Sequence, residues 1–111
     1  MRHRRWTAST LVVLIALGLA ACAAFSFGRE FPSPRPDAIR NGTTTKNDLV
    51  KLFGEPVQVG IKDGDQTWTW YYAKKSSKDE LSKQLEVTFN AAGVAKSYSF
   101  SSNFPEDMKL R

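Results

Sequence analysis

Among 111 residues there is one cysteine, Cys22, and one histidine, His3. A lone thiol cannot close a disulfide within the chain, which excludes a small secreted scaffold stapled by bridges. Long apolar runs are also scarce. The longest, Leu11 to Ala21, is interrupted by Gly18 and falls well short of the ~20 residues a spanning helix needs. Positive charge outnumbers negative, 16 to 11, yet Arg2, Arg4 and Arg5 all precede that run. A basic start, an apolar middle and a small-residue end are the layout of a secretory signal peptide over residues 1–21.

Removing residues 1–21 takes three of the 16 basic groups and none of the 11 acidic ones, leaving 13 against 11, or +2. That charge lacks the positive footprint of a nucleic-acid binder, so no nucleic-acid partner is expected. His3 leaves with the signal, and the remaining chain has no imidazole. Ser-His-Asp and Cys-His catalysis, and any His-ligated or multi-cysteine zinc site, are thereby excluded. No cofactor, metal or small-molecule substrate is expected.

What is present begins with the end of the apolar run. Leu19-Ala20-Ala21-Cys22 resembles a bacterial lipobox, which implies cleavage between Ala21 and Cys22, a diacylglycerol on the sulfur and an acyl group on the freed amine. Acyl chains hold by ~0.8 kcal/mol per buried methylene, and two or more anchor stably. The expected attachment is therefore to a membrane through lipid on Cys22. Ala23 stands where inner-membrane lipoproteins tend to carry Asp, a resemblance that favours the outer membrane, facing the periplasm, in a Gram-negative host.

Prolines at 32, 34 and 36 follow. Each fixes its own backbone and biases the residue before it toward extended shapes, so residues 22–36 are expected to be the lipidated cysteine and a semi-rigid tether that holds the domain a few nanometres from the membrane. Phe25, Phe27 and Phe31 lie on it. Two readings are open for them: contact with lipid or the domain's own surface, and a partner-binding strip.

Residues 37–101 are left to form one small domain. Asp37 to Arg40 reads as a single helical turn stopped by Gly42. From Thr45 the signals are stronger: Thr45 as N-cap, Asp48 three residues on, then Leu49, Val50, Leu52 and Phe53 at helical spacing, with Gly54 as a left-handed C-cap and Pro56 blocking continuation. A helix over about 45–53 is predicted. The period then becomes alternating. Val57, Val59 and Ile61 offer a short strand, Asp63-Gly64 is a hairpin turn, and Trp68, Trp70 and Tyr72 share one face of a strand over about 67–73. KKSSKDELSK, 74–83, reads as a solvated loop. Leu85, Val87 and Phe89 begin another strand, Asn90 to Gly93 turn, and Val94, Tyr98 and Phe100 line a third, with Lys96 on their side marking a bend in register or an edge. The tail, 102–111, has no periodicity. The fold class is α+β: one or two short N-terminal helices on an antiparallel meander of three strands, with 57–61 available as a fourth.

In order, LAAC, IRNGTTTKNDLVKLFGEP (39–56), TWTWYY (67–72) and LEVTFNAAGVAKSYSF (85–100) resemble the SmpA/OmlA (BamE-like) family of small bacterial outer-membrane lipoproteins. The resemblance implies an αβββ or ααβββ domain and a non-enzymatic adaptor or scaffold role in outer-membrane protein assembly or envelope integrity, with an envelope protein as partner. The helix-on-sheet layout is also similar to β-lactamase-inhibitory-protein-like domains, which implies the alternative of a protein- or peptide-binding or inhibitory module. Trp68 and Trp70 read as core, whereas Tyr71 faces the other way and joins Phe25, Phe27 and Phe31 as a candidate partner surface. The carboxylate pairs Asp63/Asp65, Asp79/Glu80 and Glu106/Asp107 sit in turns or polar segments. Acid/base chemistry needs positioned groups, so no catalytic role is expected of them.

Overall fold

The computed structural model describes residues 24–110. The signal segment, the Ala21/Cys22 cleavage site and the lipidation site Cys22 lie outside the described residues. The elements are β1 (Phe25–Gly28), α1 (Lys46–Phe53), β2 (Gln58–Lys62), β3 (Asp65–Lys75), β4 (Glu80–Phe89), β5 (Ala95–Ser102) and a closing 3₁₀ turn, Asp107–Leu110. All strands belong to one antiparallel sheet. β3 is flanked by β4, which is flanked by β5, while β1 and β2 share the other edge of β3.

α1 forms as its caps dictate. The Thr45 hydroxyl accepts from the Asp48 N–H at 3.2 Å and the Asp48 carboxylate accepts from the Thr45 N–H at 3.0 Å, a reciprocal capping box. Gly54 ends the helix with φ 82° and ψ −166°. That is the positive-φ region open to glycine but not the left-handed helical C-cap expected from the sequence. Leu49 and Phe53, four residues apart, are buried, whereas Leu52 is 46% exposed. The buried stripe is thus narrower than the four apolar residues promise.

Both ends of α1 are tied to the sheet. The Lys46 N–H donates to Gly93 O at 3.2 Å, and the Trp70 indole N–H donates to Gly54 O at 2.9 Å. Between them Leu49 and Phe53 meet Trp70, Leu85, Val87 and Phe89, with Phe31 and Ile39 completing the core. Fully burying an aliphatic or aromatic side chain is worth about 1.5–3 kcal/mol, so this face supplies most of the fold's cohesion.

The hairpin signals hold. Asp63 (φ 52°) and Gly64 (φ 84°) both take positive φ, the requirement of a two-residue type I′ turn, and Lys62 faces Asp65 across it. Lys96 sits at a bulge: Thr88 pairs with Ser97 but Phe89 pairs with Ala95, so Lys96 is the extra residue. The bulge turns Ala95 rather than Val94 into the core.

Four expectations are corrected. Residues 37–40 are turns, not a helix, and α1 is the α-helix among the described residues; Ala38 N–H reaches Arg35 O at 3.0 Å but the pattern does not propagate. The sheet has five strands rather than three or four. The segment 74–83 is not a loop: Lys75 pairs with Glu80, leaving a connection of 76–79, because its polar side chains occupy strand positions at the sheet's end. The tether is not free either. Its backbone is extended as prolines favour, but Phe25–Gly28 pairs with Lys75–Tyr72, and Phe31 is 2% exposed in the core.

Candidate functional site

The register sorts the sheet into two faces. Trp68, Trp70, Tyr72, Leu85, Val87, Tyr98 and Phe100 look toward α1, and the opposite face carries Thr67, Thr69, Tyr71, Gln84, Glu86, Ser97 and Ser99. Phe27 lies opposite Ala73 and Phe25 opposite Lys75, so both rings project from that second, polar face. They meet edge to face, 5.0 Å between centroids, and are 57% and 45% exposed. Tyr71 is half-buried on the same face. Phe31 is not with them: it packs edge to face on Phe53, 6.5 Å away, which removes it from the candidate surface. A shallow cleft beside β1 is lined by Phe25, Lys74, Lys75, Asp79 and Leu81, among others.

A second apolar surface lies on the other half of the same sheet edge. Leu52, Val57, Val59 and Ile61 are all exposed, Ile61 by 81%. β2 pairs with β3 on one side and, among the described residues, with no strand on the other. Its outer backbone groups are therefore open to a partner strand. The alternation of Val57, Val59 and Ile61 is visible in the sequence, but their exposure is not.

Sequence reasoning missed a polar cluster at the β1 end of the core face. Lys83 is only 8% exposed, and its ammonium lies 4.9 Å from the Phe31 ring centre and 5.3 Å from that of Phe104. It donates to Ser33 Oγ at 3.2 Å; Ser33 and Ser102 hydroxyls donate to the Asp107 carboxylate at 2.9 and 2.6 Å. Phe104 stacks on Tyr72, 6.0 Å between centroids. The tail is thus docked, contrary to its aperiodic sequence. Lys83 stands midway between Leu81 and Leu85 at a spacing of two, on the same strand face, the one signal that could place its stem inside.

At the far end, Lys96 and Asp65 form an ion pair at 2.8 Å. That hydrogen bond, then the charges of Asp65 and Asp63, raise the Lys96 ammonium above its ordinary pKa. Lys46 lies 5.2 Å from the centres of both the Trp68 and Phe89 rings and donates to Gln66. Asp63 and Asp65 are occupied by turn and ion pair, and Asp107 by two hydroxyls. Among the described residues no group of three His, Cys, Asp or Glu side chains is placed to hold a metal ion. What the geometry offers is surface for another macromolecule: an apolar edge strand, two exposed rings, and a rigid sheet behind them.

No curated protein matches the chain at a significant level. The family model for the outer membrane protein assembly factor BamE domain matches residues 32–99. That stretch runs from Pro32 through α1 and β2 to β4 and into β5, leaving β1, Phe31 and the docked tail outside it. With more than half of the 111 residues inside the match, the chain belongs to the BamE family of outer membrane protein assembly factors.

Proposed function

We propose that this chain is a lipid-anchored, non-enzymatic adaptor of outer-membrane protein assembly, attached through Cys22 and facing the periplasm. The family match carries the reading. The lipobox-like Leu19-Ala20-Ala21-Cys22 supports the anchor, and the exposed strip of Val57, Val59 and Ile61 along an open strand edge supplies a docking surface for an envelope protein of the assembly machinery. Apolar area on such a strip is the feature that marks an interface, and main-chain pairing along β2 adds register.

A photo-crosslinking amino acid at Ile61 in living cells tests the reading. It is expected to capture an outer-membrane assembly protein. Capture of a soluble periplasmic enzyme instead favours the inhibitory module, and recovery of no envelope protein above background contradicts the adaptor role.

A further inference from the structure

The lipidation site and β1 are separated by Ala23 and Ala24 alone. At ~3.3–3.6 Å per residue, the Cα of Phe25 stands no more than about 11 Å from that of Cys22. The chain from Phe25 onward is not free to pay out more length, because β1 is paired with β3, the Arg29 N–H donates to Tyr71 O at 3.0 Å, and Phe31 is buried. Gly28 locks this arrangement. It has φ +74°, and a Cβ there would overlap the Tyr71 carbonyl, so the strand can approach β3 only with glycine at that place.

We infer that β1 is a membrane-docking strand that stands the domain end-on at the bilayer, with the 76–79 loop at the lipid surface and the turns at 63–64 and 90–93 facing away. The inference rests on the anchoring of Cys22 in the proposed function and specifies how the anchored domain is oriented. Phe25 faces Lys75 at the end of β3 that leads into the 76–79 loop, and the ten residues of β4 carry the chain from that loop to the opposite end, about 30 Å away at ~3.3 Å per residue. A lipid held within two residues of β1 therefore fixes which end meets the membrane. The exposed rings of Phe25 and Phe27 sit beside the attachment point, where apolar side chains lower the free energy of contact with the acyl boundary. Around the loop Lys74, Lys75 and Lys78 are set against Asp79 and Glu80, so the seating is apolar rather than electrostatic. The β2 edge, pairing with the far half of β3, is held away from the lipid and open to protein.

The test uses the full lipidated chain, purified from membranes and returned to phosphatidylethanolamine–phosphatidylglycerol vesicles containing a headgroup-nitroxide lipid. Ser77→Cys or Ala91→Cys carries a fluorophore, and the mass of the N-terminal peptide reports acylation of Cys22 separately. The expected result is an acylated Cys22, quenching at position 77 and none at 91, with quenching at 77 reduced in Phe25→Ser/Phe27→Ser while circular dichroism is unchanged. Equal quenching at both positions, quenching at 91 alone, or undiminished quenching in the double variant, on an acylated chain, overturns the end-on docking and leaves the anchoring intact. An N-terminal peptide without acyl mass overturns the anchoring and the docking with it.

Discussion

Trp70 and Phe104 are buried aromatic residues on the same face of the sheet, but they are held differently. Trp70 lies inside the family-matched stretch, 1% exposed, with Phe53 5.9 Å away on one side, Trp68 on another, and its indole N–H bonded to the end of α1. Phe104 lies beyond that stretch, is held by stacking on Tyr72 and by the Lys83 ammonium, and its backbone follows a tail pinned at Asn103 and Asp107. The centre coheres through contiguous apolar burial. The flanks, β1 and the tail with Phe104, attach to that centre through a few specific contacts. The tail meets the core at Lys83, whose ammonium lies over both Phe31 and Phe104.

This contrast sets the order of expected effects. Trp70→Ala removes core volume and leaves Gly54 O without its donor; a loss of about 3–5 kcal/mol in urea unfolding is expected, enough to unfold a small domain. Phe104→Ala is expected to cost about 2–3 kcal/mol, because its ring is buried at the rim rather than the centre. Hydrogen exchange should then show residues 102–109 losing protection while β3 and β4 retain theirs. Equal losses for the two variants would remove the distinction between centre and flank.

Gly28→Ala sharpens the comparison further. Forcing a Cβ against Tyr71 O should free β1, seen as lost amide protection over Phe25–Gly28, for a global cost of about 1 kcal/mol. A cooperative collapse instead would make β1 part of the core. The smallest effect is expected at Asp48. Hydrogen bonds from the Thr45 N–H and hydroxyl, then the Lys51 charge, hold its carboxyl below the ordinary value of 3.8. A depressed folded pKa means the stabilisation is present above that ordinary value and is lost as pH falls through the lower folded one. Melting curves of wild type and Asp48→Asn should run slightly apart above 3.8 and converge in stronger acid.

The elements legible in the sequence are those whose signals are local. Thr45 and Asp48 announce α1, Asp63-Gly64 announces the β2–β3 turn, and the alternation through Trp68, Trp70 and Tyr72 announces β3. The unread parts depend on distant partners. Phe25 to Gly28 is too short to show a period, and it is a strand because the free edge of β3 lies beside it. Lys74 to Lys83 reads as solvent-loving, yet Lys83 points its stem inward and finds rings supplied by residues 31 and 104. Phe104 stands between Asn103 and Pro105, outside any periodic pattern, and nothing nearby reveals that Tyr72 receives it. The same holds for the candidate surface: Phe25 and Phe27 are exposed, whereas Phe31, four residues on, is consumed by the core.

Attachment through Cys22 is the claim on which the rest of the functional account stands. Its most direct test is incorporation of radiolabelled palmitate into wild type and Cys22→Ser, followed by membrane fractionation. Label on the wild-type chain in the outer-membrane fraction, and none on the serine variant, is the result expected. Label retained by Cys22→Ser, or an unlabelled wild-type chain in the soluble fraction, would contradict it.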